Sequence, residues 1–178
     1  MENSQILTLR TLFKSRLDTL NHLLSVAEKH FKNDVEHGLQ NRIASDMLPF
    51  GTQIAFTCNQ PRNFALWCLG EPSKNLNPNV STIAEARELI TSTQTLLSQI
   101  NVPDSKLLEL KRLDLGEGMS IELTGHAYVD DFLMPNFYFH LTTAYNILRM
   151  VGAPIGKRDF MLHLVPLLQQ NDKTEPNS

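Results

Sequence analysis

The first strong pattern in the sequence is an uninterrupted series of apolar residues between positions 6 and 32. Apolar side chains recur every three or four residues, with no Gly or Pro between them, which is the spacing of one face of an amphipathic helix. The positions are Leu9, Leu12, Phe13, Leu17, Leu20, Leu23, Leu24, Ala27 and Phe31. A pattern this long predicts a first helix that covers one side of a helical bundle.

A second helical pattern follows a short polar bridge. Ser45 or Asp46 is placed to cap this helix, because short polar side chains accept hydrogen bonds from the first free amides. Pro61 lacks the amide hydrogen that a helix interior uses, so we expect a kink or break near Asn59. The helix then resumes and ends at Gly70, a residue type that favours helix C-termini.

Two further patterns follow a turn-rich loop over residues 71–80. Ser81 or Thr82 followed by Glu85 resembles a capping box, and the apolar spacing beyond it predicts a third helix. Between residues 108 and 124, apolar and polar side chains alternate on both sides of a glycine-containing loop, which predicts a β-hairpin. A lone hairpin is marginal in water, so we expect it to pack against the bundle or against a partner chain.

The last part of the sequence returns to helical spacing. A short helical piece over residues 127–133 precedes a fourth long helix over 136–151, which Pro135 can start. A short helix over residues 157–168 completes the pattern. The prediction is an all-α fold: a four-helix bundle with a short β-hairpin insertion before the fourth helix and a short C-terminal helix.

Length, charge and cysteine content limit the class of protein. The 178 residues suit one domain, so we assign 1–170 to a single domain and the polar residues 171–178 to a disordered tail. The formal charge of -3 argues against a dedicated nucleic-acid binder, and no apolar run reaches the ~20 residues that cross a membrane. No leader pattern precedes Cys58 and Cys68, which form no CxxC pair, so we expect free thiols in the cytoplasm.

One segment of the sequence is distinctive. Residues 135–149 read Pro-Asn-Phe-Tyr-Phe-His-Leu-Thr-Thr-Ala-Tyr-Asn-Ile-Leu-Arg, residues 156–160 read Gly-Lys-Arg-Asp-Phe, and residues 42–53 read Arg-Ile-Ala-Ser-Asp-Met-Leu-Pro-Phe-Gly-Thr-Gln. These segments resemble an uncharacterised bacterial and fungal domain-of-unknown-function family that is grouped with the DinB/YfiT-like proteins. The resemblance covers nearly the whole chain and implies a DinB-like four-helix bundle, commonly a homodimer.

The resemblance also implies where a metal would lie. Many members of the superfamily hold a divalent metal through one histidine on the second helix and an HxxxH pair on the fourth. His140 matches the second histidine of that pair, while the first falls on Asn136 and the second-helix ligand falls near Gln53. The resemblance therefore implies a divalent metal such as zinc or nickel, with an incomplete ligand set, and a thiol transferase-like enzyme as one alternative.

The residues themselves place polar side chains along one edge of the fourth helix. At 100° per residue, Asn136, His140 and Thr143 form a stripe beside the apolar face. Gln53 lies on a comparable stripe of the second helix. If the two helices face each other, we expect His140, Asn136 and Gln53 to converge.

Three interpretations of this cluster stay open. Buried His, Asn and Gln side chains often satisfy one another, which favours a purely structural network. The next interpretation is a small-molecule pocket lined by Gln53, Asn136, His140 and Thr143. A metal at His140 ranks last, since zinc sites use Cys, His or carboxylate ligands and the other candidates are neutral amides or a hydroxyl. Whether the protein is an enzyme stays open.

Overall fold

The predicted bundle is present in the computed structural model, which describes residues 4–169 of the chain. The α-helices, in chain order, are α1 (Gln5–Phe31), α2 (Val35–Gly38), α3 (Phe50–Cys68), α4 (Ile83–Ser98), α5 (Gly125–Ala127), α6 (Met134–Met150) and α7 (Lys157–Phe160). Strands β1 (Leu110–Gly116) and β2 (Met119–Thr124) form the hairpin. Short 3-10 helices cover Lys32–Asp34, Asp104–Leu108 and Leu162–Leu167.

The long helices meet around an aromatic centre. Helix α3 packs against both α4 and α6, and α1 packs against α4. The Phe13 ring of α1 lies 5.5 Å from the Phe64 ring of α3 and 5.2 Å from the Phe137 ring of α6, centroid to centroid. All three side chains are fully buried, so three of the four helices are joined at one apolar point.

The start of α1 is tied to the loop that precedes the hairpin. The Asp104 carboxylate accepts hydrogen bonds from the Ser4 hydroxyl and from the amides of Gln5 and Ile6, at 2.7–3.0 Å. These amides are among the four that a helix leaves unpaired at its start. The same hydrogen bonds hold the pKa of Asp104 below its usual value.

The start of α3 differs from the prediction. The helix begins at Phe50, so neither Ser45 nor Asp46 caps it. Its first two amides donate instead to the backbone carbonyls of Asn41 and Leu39. The preceding turn folds back onto the helix start and satisfies the amides that a side-chain cap would have served.

Helix α3 also continues through Pro61 without the predicted break. Pro61 is buried, and the tertiary packing of α3 outweighs the lost hydrogen bond. The predicted end is confirmed: Gly70 follows the helix with a φ of 77°, and the Glu71 amide donates to the Leu66 carbonyl at 2.8 Å. This is the pattern of a Schellman C-cap.

The capping box and the hairpin are both confirmed. The Thr82 hydroxyl accepts from the Glu85 amide at 3.1 Å, and the Glu85 carboxylate accepts from the Thr82 amide at 3.2 Å. Strands β1 and β2 pair in an antiparallel manner, with Leu113 opposite Ile121. The alternation that predicted two strands therefore also sets their register.

The helical piece before α6 is continuous with α6 instead of separate from it. A π-helical segment, Tyr128–Leu133, joins α5 directly to α6. Pro135 lies in the first turn of α6, and the Asn136 side-chain amide donates to the Phe132 carbonyl at 2.6 Å. Pro135 has no backbone N–H to donate, and the π-helical segment ends immediately before this first turn.

The end of the chain is less helical than predicted. Helix α7 spans four residues and is followed by the 3-10 helix Leu162–Leu167 in place of one longer helix. The predicted tail, residues 171–178, lies outside the described residues. Within residues 4–169, no helix is long and apolar enough to cross a membrane.

Candidate functional site

The structure brings two of the four predicted site residues into direct contact. The Nδ1 atom of His140, on α6, lies 2.8 Å from the Oε1 atom of Gln53, on α3. The two side chains are 9% and 1% exposed, respectively. The contact therefore lies in the interior, where α3 and α6 pack together.

The hydrogen bonds of Gln53 fix the tautomer of His140. The Gln53 Nε2 atom donates to the Leu48 carbonyl at 3.0 Å, so Oε1 faces the imidazole as an acceptor. The Nδ1 atom of His140 must then carry the hydrogen. In the neutral ring, this leaves the lone pair on Nε2.

The surroundings of His140 keep the ring neutral. The Phe56 and Phe139 rings meet the imidazole edge-on, with centroids 5.1 and 5.2 Å away. Burial lowers the pKa of His140 from 6.5 to about 4, because a charged ring would lose its solvation in this position. At neutral pH, the side chain is an uncharged imidazole with one acceptor nitrogen.

That acceptor nitrogen is unpaired among the residues 4–169. His140 Nε2 forms no hydrogen bond with them, and it is not among their fully buried atoms that lack a partner. The His140 side chain is 9% exposed, so part of the imidazole is open to the molecular surface. Phe56 and Leu48, which both border the pair, also line a cavity of about 520 Å³ at the start of α3.

The other two predicted residues do not join the pair by a hydrogen bond. The Asn136 amide donates to the Phe132 carbonyl, and the Thr143 hydroxyl donates to the Phe139 carbonyl at 2.7 Å. Asn136 and Thr143 lie about one turn on either side of His140, on the same edge of α6. Asn136, His140 and Thr143 thus lie along one edge of α6. The side chains of Asn136 and Thr143, however, donate to backbone carbonyls one turn earlier in the chain.

The residues at the three implied ligand positions do not fit a three-histidine metal site. The Gln53 oxygen is already engaged by His140 Nδ1–H, and the Asn136 amide is turned to the backbone. Within the described part of the chain, no group of three His, Cys, Asp or Glu side chains is placed to hold a metal ion. His140 would be the one ligand of an ordinary type at this position.

Two contributors to the site were not predicted from the sequence. Phe56 lies three residues after Gln53 on α3, a spacing that puts both side chains on one face, so helical geometry could have identified it. Leu48 contributes its backbone carbonyl, for which the sequence carries no signal. The orientation of the Gln53 amide depends on that carbonyl.

The two cysteines lie away from this site and are not reactive groups. Cys58 and Cys68 are free and buried. Burial raises the pKa of each thiol to about 12, although the neighbouring Thr93 hydroxyl at Cys58 and the Lys106 ammonium near Cys68 both oppose this rise. Neither is a thiolate at neutral pH, so neither is an activated nucleophile.

Comparisons with known proteins agree with this fold. A protein-family model described as Domain of unknown function (DUF1993) matches residues 8–161. A crystal structure of a DinB family member protein from Shewanella denitrificans is similar, with a TM-score of 0.74 and 25% sequence identity. The similarity covers 94% of this chain and 93% of that chain. No curated protein matches the sequence.

Proposed function

The chain belongs to the DinB-like family described as Domain of unknown function (DUF1993), and we propose that it binds a small molecule at His140. The proposed pocket includes Gln53, Asn136, His140 and Thr143. The observation that carries the proposal is the state of His140: one tautomer, no charge, and an acceptor nitrogen that has no hydrogen-bond partner among the described residues.

The imidazole of His140 is preorganised for ligand binding. Its ring is held by the Gln53 hydrogen bond and by two phenylalanine edges, so binding costs little additional side-chain entropy. Phe139 is 58% exposed and offers apolar surface beside the imidazole ring. These features favour a ligand with one hydrogen-bond donor attached to an apolar or aromatic body.

Two matched probes test this proposal. Phenol and anisole share an aromatic ring, but phenol alone has a hydroxyl hydrogen to donate to Nε2. We expect phenol to shift the Nε2 resonance of 15N-labelled His140 with a Kd of about 1 mM, and anisole to bind several-fold more weakly. Phenol binding followed through the backbone amide resonances of α6 should be lost in His140→Phe, while the exposed His126→Asn variant should retain it.

The same experiment separates the alternatives. If phenol leaves the Nε2 resonance unchanged, the pair serves to hold α3 against α6, and the small-molecule proposal is wrong. Zinc and nickel titrations on untagged protein address the metal-dependent enzyme, for which the described residues offer no complete ligand set. Stoichiometric metal lost in His140→Ala would favour that enzyme over the proposal made here.

We further propose that the protein is a cytoplasmic homodimer. Free cysteines are typical of reducing compartments, which supports the cytoplasm. Exposed apolar side chains on the hairpin support association. Sedimentation at several concentrations tests the dimer, and a monomer at tens of micromolar would contradict it.

A further inference from the structure

The hairpin carries apolar side chains that the bundle does not cover. Leu115, Met119 and Ile121 are 52%, 57% and 41% exposed, whereas Leu113 is 9% exposed. Because cross-strand partners share a face, the apolar side of the hairpin runs from the bundle at Leu113 out into solvent. A two-stranded sheet in this condition is marginal unless something else packs on it or pairs with it.

Strand β1 has one edge available for pairing. Among the described residues, β1 pairs with β2 alone, and the two strands form the whole sheet. The opposite edge of β1 presents backbone N–H and C=O groups without ladder partners. Such an edge is a template for another strand.

The charges on β1 match a second copy of the same strand. In an antiparallel pair with a two-fold axis through Leu113, Arg112 of each copy stands opposite Asp114 of the other. Arg112 and Asp114 are both exposed. The Oδ1 atom of Asp114 accepts from the Gly116 amide at 2.9 Å, and its second carboxylate oxygen is the one that can pair with Arg112 of the other copy. Opposite charges directly across two strands stabilise their pairing.

Strand β2 offers no such match. Its single charged residue is Glu122, which stands opposite Arg112 within the hairpin. Pairing two copies of β2 across a two-fold axis would therefore bring no opposite charges together. The charge pattern selects the β1 edge.

We propose that two copies of this chain associate through their β1 edges, forming one four-stranded antiparallel sheet with a two-fold axis at Leu113. The proposal rests on the homodimer proposed above and names its surface. The small-molecule site at His140 takes no part in this contact.

Charge reversal tests the pairing and its register. Arg112→Asp places two carboxylates against each other at both ends of the pair, and Asp114→Arg places two guanidinium groups there. We expect each single variant to raise the dimer Kd about tenfold or more, measured by sedimentation equilibrium. The double variant Arg112→Asp/Asp114→Arg restores opposite charges, and its Kd should return to within about threefold of the original.

A control variant tests whether the loss of the Arg112–Glu122 pair within one hairpin changes the dimer Kd. Arg112 also faces Glu122 in its own chain, so Glu122→Gln removes that partner without altering the proposed interface, and its dimer Kd should stay unchanged. A dimer insensitive to both single reversals, or a double variant that does not recover, overturns the β1 pairing but leaves the homodimer. A wild-type chain that is monomeric overturns both, and the phenol experiment is unaffected by either result.

Discussion

The contact between α3 and α6 differs from the hairpin in how well its groups are satisfied. At the contact, Gln53 uses both ends of its side-chain amide, and its backbone carbonyl accepts from the Thr57 hydroxyl at 2.7 Å. One nitrogen of His140 is left without a protein partner among the described residues. In the hairpin, by contrast, four large apolar side chains are exposed: Leu110, Leu115, Met119 and Ile121.

The difference follows from geometry. A long helix turns one apolar stripe toward several neighbours, so α3 can bury most of its side chains between α4 and α6. A two-stranded sheet has one neighbour on its inner face, and it covers Leu113 but not the residues nearer its turn. The folding energy of this chain therefore resides in the helices, and the hairpin is free to contribute to association.

The largest expected effect lies at the aromatic centre. Phe137→Ala removes a fully buried ring that packs against Phe13, and it should lower the free energy of unfolding by about 3–5 kcal/mol. Urea unfolding followed by circular dichroism measures this value. Met119→Ala, in the exposed part of the hairpin, is the matched control and should cost less than ~0.5 kcal/mol. Similar losses of unfolding free energy in both variants would contradict the conclusion that the folding energy resides in the helices.

The second effect is a dependence of stability on pH. The pKa of His140 is about 4 in the folded protein and 6.5 in an unfolded chain, so the unfolded state binds more protons between these values. Stability should therefore fall as the pH drops from 6.5 to 4, by about 3 kcal/mol in total.

The measurement compares wild type with His140→Phe by urea unfolding across this range. Asp104 and Asp159 have lowered pKa values, and their stabilising effect is lost as the pH falls below their usual range. Both proteins share that loss, so it cancels in the difference. If the unfolding free energies of wild type and variant changed equally between pH 6.5 and 4, burial would not be holding His140 neutral.

The third effect isolates the hydrogen bonds of Gln53. Gln53→Leu leaves the buried Nδ1 atom of His140 without its acceptor and removes the hydrogen bond to the Leu48 carbonyl, and it should cost about 1–3 kcal/mol. Gln60→Leu, on the same helix, is the control, since Gln60 is half-buried and makes one long hydrogen bond of 3.4 Å. Equal losses would mean that the Gln53 network adds nothing beyond packing.

The sequence predicts the elements whose signals are local and repeated. The apolar spacing of α1, the Thr82 capping box, the Gly70 C-cap and the alternation of the hairpin all depend on residues within a few positions of one another. The pairing of His140 with Gln53 was also accessible, because each lies on a polar stripe at the edge of an apolar face.

The remaining features depend on contacts that are distant in sequence or made by the backbone. The start of α3 is satisfied by carbonyls of the preceding turn, so the polar residues that looked like caps are not used. The helix survives Pro61 because neighbours pack on it, and no local rule reports that packing. The tautomer of His140 depends on the Leu48 carbonyl, which any residue type could provide.

The smallest expected effect concerns two leucines of β1, of which one is buried and the other is exposed. Leu115→Ala removes a side chain that is 52% exposed and should change the unfolding free energy of the monomer by less than ~0.5 kcal/mol. Leu113→Ala, two residues earlier on the same strand, removes a 9% exposed side chain and should cost about 2 kcal/mol. Both are measured at protein concentrations low enough to keep the chain monomeric, because association would add its own stabilisation. If Leu115→Ala proved as costly as Leu113→Ala in the monomer, the turn end of the hairpin would have to pack on its own bundle, and its exposed apolar face would no longer call for a second copy.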